Sequence, residues 1–138
     1  MLIDEIIDNF EFLDDWDDRY KYLIELGNSL PAFPQEYQND EYKVQGCVSQ
    51  VWIVPAIGEG ENPIIGFDGT SDAHIVRGLI AITLAIFSNK SASEILTLDE
   101  TETFKKLDLS EHITPQRSNG LRSMVQRIKD TAKAAQSS

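Results

Sequence analysis

Residues 51–69 read Val51-Trp52-Ile53-Val54-Pro55-Ala56-Ile57-Gly58-Glu59-Gly60-Glu61-Asn62-Pro63-Ile64-Ile65-Gly66-Phe67-Asp68-Gly69. Val51 to Val54 are β-branched or aromatic, the residue types that suit a pleated, half-buried surface. Gly58, Gly60, Glu61 and Asn62 supply a turn. Ile64, Ile65 and Phe67 make a second strand, closed by Asp68-Gly69. The pattern predicts an antiparallel hairpin, with a short leading strand near Tyr42 to Val44.

On both sides of the hairpin the period changes from two to that of a helix. Upstream, Leu2, Ile3, Ile6, Ile7, Phe10 and Leu13 fall at helical spacing. Asp14 or Asp15 can cap a second helix through Trp16, Tyr20, Leu23, Ile24 and Leu26, with Gly27 as its stop signal. Residues 28–41 carry Pro31 and Pro34 and little periodicity. Downstream, Asp72 can cap a helix from about Ala73 to Ser88, apolar nearly all round and therefore central. Ser91 and Ser93 introduce a short helix to Leu98, and a further short segment carries Phe104 and Leu107. Pro115 precedes a last helix from near Arg117, ending in a polar tail from about Lys133 to Ser138. Helices, then strands, then helices predict one α+β domain over residues 1–138: a small antiparallel β-sheet of about three strands with helices packed on one face.

A chain of 138 residues is long enough to build a core without staples. The longest apolar stretch, Leu79 to Phe87, is too short to span a bilayer, so no membrane partner is expected. The opening Met1-Leu2-Ile3-Asp4-Glu5 lacks the positive start of a secretory signal and the arginines of a transit peptide. The expected location is cytoplasmic, where a lone thiol stays reduced. A net charge of −11 argues against nucleic acid, whose phosphates need basic clusters. Asp14, Asp15, Asp17 and Asp18 crowd the N-terminal region, whereas Arg117, Arg122, Arg127, Lys129 and Lys133 line the last helix. An acidic surface suits a basic protein partner as well as it suits solubility.

The chain has one cysteine, Cys47. That excludes an internal disulfide and a multi-cysteine metal site, and His74 and His112 are too few to complete one. No metal or other cofactor is expected on this chain. Cys47 sits in Val44-Gln45-Gly46-Cys47-Val48-Ser49-Gln50, between two apolar β segments. Gly46 permits an unusual backbone angle, and polar Gln45, Ser49 and Gln50 mark a loop tip. A thiolate there has the chemistry of sulfur exchange, which needs only one thiol; an inert, buried cysteine is the bland alternative. A Cys–His hydrolase would use His74 or His112, but no spacing brings either to Cys47. Arg117, in Arg117-Ser118-Asn119-Gly120-Leu121, suits a partner carboxylate or a thiolate, or simply orders the loop. Asn119-Gly120 alone suggests a turn. The hairpin glycines lack a downstream Lys-Ser or Lys-Thr, so they form no phosphate loop.

Val44-Gln45-Gly46-Cys47-Val48-Ser49-Gln50-Val51-Trp52-Ile53 resembles the sulfur-acceptor loop of SufE-type proteins. Asp68 to Ala81, Leu109 to Leu121, and Tyr20 to Leu30 ending in Leu26-Gly27-Asn28-Ser29-Leu30-Pro31 resemble further segments of that family. Four segments in order, over most of the chain, are far more specific than the loop alone. The resemblance implies an α+β fold shared with IscU-type scaffolds. It implies a sulfur acceptor that takes persulfide sulfur from a SufS-like cysteine desulfurase, stimulates that enzyme, and delivers sulfur to a SufBCD-like complex for iron–sulfur cluster assembly. Pyridoxal phosphate is expected on the desulfurase. Cys47 corresponds to the acceptor, supported by Gln45, Gly46 and Ser49, and Asp72 and Arg117 correspond to the family's aspartate and arginine positions. Two alternatives stay open: an allosteric activator of a desulfurase that carries no sulfur, and a carrier serving cofactor synthesis or tRNA thiolation.

Overall fold

The computed structural model describes residues 2–47, 49–109 and 113–137. In chain order these form α1 (Ile3–Phe12), α2 (Trp16–Asn28), a 3₁₀ turn (Gln35–Tyr37), β1 (Val51–Ile57), β2 (Ile64–Ser71), α3 (His74–Phe87), β3 (Lys90–Ser91), α4 (Ala92–Thr97), α5 (Glu100–Lys106) and α6 (Pro115–Ser137).

The expected α+β architecture is present, and so is the hairpin. β1 and β2 pair antiparallel from Val51 opposite Ser71 to Ile57 opposite Ile65. Alternation puts Val51, Ile53, Ile65 and Phe67 on a buried face, while Ile64 and Asp68 point to solvent. The third strand differs from the expectation. It is β3, antiparallel to the far edge of β2 through Ile64–Ser91 and Ile65–Lys90. Tyr42 to Val44 contributes only an isolated bridge, Lys43 opposite Trp52. β3 forms because Asn89, at φ 62°, turns the chain back after α3, and its N–H bonds the Ile65 carbonyl at 2.7 Å. Two residues are too few to leave a periodic trace.

α3 lies at the centre, with Val76, Leu79, Ile80, Ile82, Ile86 and Phe87 buried. Gly27 does not stop α2. The helix runs on to Asn28 and closes at Ser29, whose N–H and hydroxyl bond carbonyls of the last turn without a left-handed residue. Gly27 is instead buried at the crossing with α3, where a Cβ would come within 2.7 Å of the Gly78 backbone nitrogen. A Cβ on Gly78 would in turn fall on the Leu23 carbonyl. Each helix presents bare backbone to the other, so the axes approach closely.

Local caps follow the sequence elsewhere. The Asp15 carboxylate accepts from Asp17 N–H at 3.0 Å to start α2, and Ser91 and Glu94 make a reciprocal capping box on α4. α6 starts two residues earlier than expected, with Pro115 in its first position and the Thr114 hydroxyl accepting from Arg117 N–H at 3.2 Å. Asn119-Gly120 lies inside α6, not in a turn. Leu121, Met124, Val125, Ile128 and Ala132 form the buried stripe of α6, which packs on α3 and α4. The helix continues through the polar residues beyond 132, where Ala135 is also buried. Among the described residues, no helix is long and apolar enough to cross a membrane.

Candidate functional site

The loop of residues 45–50 springs from a two-sided stem. Val44 N–H donates to the Val51 carbonyl at 2.8 Å, and Ile53 N–H donates to the Tyr42 carbonyl at 3.0 Å. Gly46 turns the chain at φ +89°, a conformation that an L side chain rarely takes. A Cβ on Gly46 would also come within 2.5 Å of the Ser123 hydroxyl on α6. The backbone conformation favours glycine before the cysteine, whereas the Ser123 hydroxyl is free to rotate away from a Cβ.

Cys47 is half-buried, and its Sγ–H donates to the Gly120 carbonyl at 3.7 Å. It faces a cleft of about 250 Å³. Val76 and Leu79 of α3 and Met124 of α6 supply its apolar wall, and Ser49, Thr114 and Arg117 supply polar groups. Burial pushes the Cys47 thiol above its ordinary range, because the thiolate loses hydration there. Arg117 lines the same cleft. At neutral pH the resting thiol is protonated, shielded and a poor nucleophile. A small space remains beside the sulfur.

Asp72 does not cap α3. The cap position is Ala73, with no side-chain hydrogen bond to the helix. The Ser71 hydroxyl accepts from Ala73 N–H at 3.2 Å, while Asp72 Oδ1 accepts from Gln50 N–H at 3.1 Å. Its carboxylate thus holds the exit of the cysteine loop, three residues after Cys47. It lies one residue too early in the chain to reach the first helical turn, and it faces β1 instead.

The structure therefore brings Gly46, Cys47, Ser49 and Arg117 to one place and ties Asp72 to the loop's exit. Gln45 is exposed on the turn. His74 is exposed, does not line the cleft, and its Nδ1 lies 2.8 Å from Arg77 on the same helix. His112 and Val48 lie outside the described residues. Among the described residues, no group of three or more His, Cys, Asp or Glu is placed to hold a metal ion. Sequence reasoning missed Gly120, Ser123 and Met124 as part of the site. Their spacing on a helix predicts a shared face, but nothing local says what that face covers.

A family profile described as SufE, Fe-S metabolism associated domain, matches residues 4–132. A SufE-like protein of Rhizobium meliloti (strain 1021) is 58% identical over 131 residues, which is 94% of either chain. A SufE-like protein of Rhizobium etli is 59% identical over 132 residues, covering 95% of this chain and 89% of its own. Among solved structures, a hypothetical protein from Thermus thermophilus superposes over the whole of both chains with a TM-score of 0.76 at 17% identity. That last likeness is one of fold.

Proposed function

This chain belongs to the SufE family of Fe-S metabolism associated domains, and from that premise we propose that Cys47 accepts sulfane sulfur from a cysteine desulfurase and passes it on for iron–sulfur cluster assembly. One observation carries the reading. The single cysteine of the chain sits on a glycine turn, half-buried, over a small cleft with apolar walls and Arg117 among its polar groups. An inert core cysteine has neither a turn beneath it nor open space beside it.

The reaction is an exchange of sulfur without net oxidation. Docking on the desulfurase draws the loop out, and Cys47 gives its proton to water as it leaves the apolar wall. The thiolate attacks the outer sulfur of the donor's persulfide. A new sulfur–sulfur bond forms on Cys47, the donor's bond breaks, and the donor thiolate leaves with the electron pair. A recipient thiolate, on a SufBCD-like complex, later attacks the outer sulfur of the Cys47 persulfide in the same way. This chain needs no cofactor for either step. Carbon–sulfur cleavage belongs to the desulfurase and its pyridoxal phosphate. Between the two steps, retraction over Val76, Leu79 and Met124 shelters the persulfide from water and oxidants.

Intact-mass measurement after incubation with a desulfurase and cysteine tests this. The expected product gains about 32 Da per sulfur atom, loses it to reductant, and is absent in Cys47→Ser. If Cys47→Ser stimulates the desulfurase as fully as the native chain does, the protein is an activator and not a carrier.

A further inference from the structure

The exit of the cysteine loop is held by Asp72, and its entry is held by a residue that the carrier chemistry has not used. The Tyr42 carbonyl and the Val44 N–H meet β1, while the Tyr42 N–H bonds Asn39 in the turn before the stem. At the Lys43–Trp52 bridge the Lys43 carbonyl points away from β1, and the Glu41 carbonyl belongs to the preceding turn. Arg127, on α6, meets both. Its Nη2 donates to the Glu41 carbonyl at 2.5 Å and its Nη1 to the Lys43 carbonyl at 3.4 Å. A planar guanidinium with forked donors reaches both carbonyls in a fixed geometry that a flexible ammonium holds less well. Arg127 stands four residues beyond Ser123, which meets Gly46, and seven beyond Gly120, which accepts from Cys47. One face of α6 thus carries the stem, the turn and the sulfur in succession.

We propose that Arg127 is a positioning residue for Cys47: it pins the stem of the loop to α6 and confines movement to the glycine turn. This rests on the reading of Cys47 as the sulfur acceptor. With the stem fixed, the thiol travels a defined arc between the cleft and a docked donor. With the stem free, residues 41–47 shift together and the sulfur loses both its resting seat and its aim.

The test compares the full chain with Arg127→Gln and Arg127→Lys, well below their melting transitions. Three readouts are used: alkylation of Cys47 by a neutral reagent at pH 7, hydrogen exchange at Val44 N–H, and sulfur loaded at saturating desulfurase. Hydrogen bonds from a charged donor are strong enough that Arg127→Gln is expected to be alkylated about tenfold faster. Val44 exchange rises with it, sulfur loading falls, and Arg127→Lys lies between. Wild-type alkylation and Val44 exchange in Arg127→Gln would overturn the proposal, and a lower melting temperature with both unchanged would mark a purely structural arginine. If Arg127→Gln does not fold, Arg127→Lys decides on the same two readouts. The alkylation arm contains no desulfurase. Failure of the native chain to take up sulfur therefore counts against the carrier reading alone.

Discussion

Gly27 and Gly78 meet where α2 crosses α3, whereas Gly46 and Gly120 meet Cys47 where its loop lies on α6. At the crossing, glycine lets two helices close on each other with no room left. At the loop, Gly46 lets the chain turn at φ +89° and Gly120 leaves ordinary van der Waals distance to the sulfur, 3.5 Å from where a Cβ would stand. The same residue type closes the crossing completely and leaves space beside the thiol. The proposed sulfur transfer needs both, since a thiol that swings out is useful only on a frame that does not give way.

The comparison breaks most visibly at Gly78. Gly78→Ala drives a methyl into the Leu23 backbone, so about 3 kcal/mol of stability is expected to go. That corresponds to a drop of about 10 °C in melting temperature for a chain of this size. An unchanged melt would mean that the two helices are not in close contact. Gly46→Ala ranks next, at about 1–2 kcal/mol for forcing a Cβ into a left-handed backbone. Because the strain is local, faster alkylation of Cys47 is expected to accompany a small change in melting. A large loss of stability with slow alkylation would mean that the loop is part of the rigid frame. Gly120→Ala has the opposite sign. Alanine favours a helix interior over glycine, so stability is expected to rise by about 0.5 kcal/mol, with Cys47 reactivity changed less than about threefold. A destabilised Gly120→Ala in chemical denaturation would show the loop to be packed as tightly as the crossing.

The smallest effect is in titration, because Cys47 is only half buried. Burial raises the folded thiol above the unfolded one, so the folded chain is expected to be alkylated more slowly at pH 7, with its rate rising at higher pH than in denaturant. The sign for stability follows. The contribution of this thiol is full below the unfolded thiol's range and is lost as pH rises through the folded value. Coincident alkylation profiles in the folded and unfolded chain would place the sulfur in water.

Much of the frame was legible because it is encoded within a few residues. Val51 to Val54, the turn glycines and Ile64 to Phe67 specify a hairpin by alternation. Asp15 and Ser91 announce helix starts by their own side chains. Gly46 beside Cys47 announced a turn under a thiol. What was misread is of another kind. Gly27 looked like a stop because glycine often ends helices, but the residue that needs its missing side chain is Gly78, 51 positions away. Asp72 looked like a cap because it precedes a helix, but its partner is the backbone of Gln50. Gly120 falls within the expected last helix, but nothing near it says that its carbonyl faces Cys47, 73 residues earlier.

Sequence by itself determined the hairpin and the main helices, the family, and the one sulfur atom available for chemistry. Those depend on side-chain type and short-range spacing, which the chain carries wherever it folds. Only the tertiary structure decided that Cys47 rests half-covered against α6, that Asp72 and Arg127 hold the two ends of its loop, and that Arg117 shares its cleft. These contacts join residues 22 to 86 positions apart. They exist only once the buried faces of β1, α3 and α6 have come together, because packing, not local pattern, sets which polar groups meet.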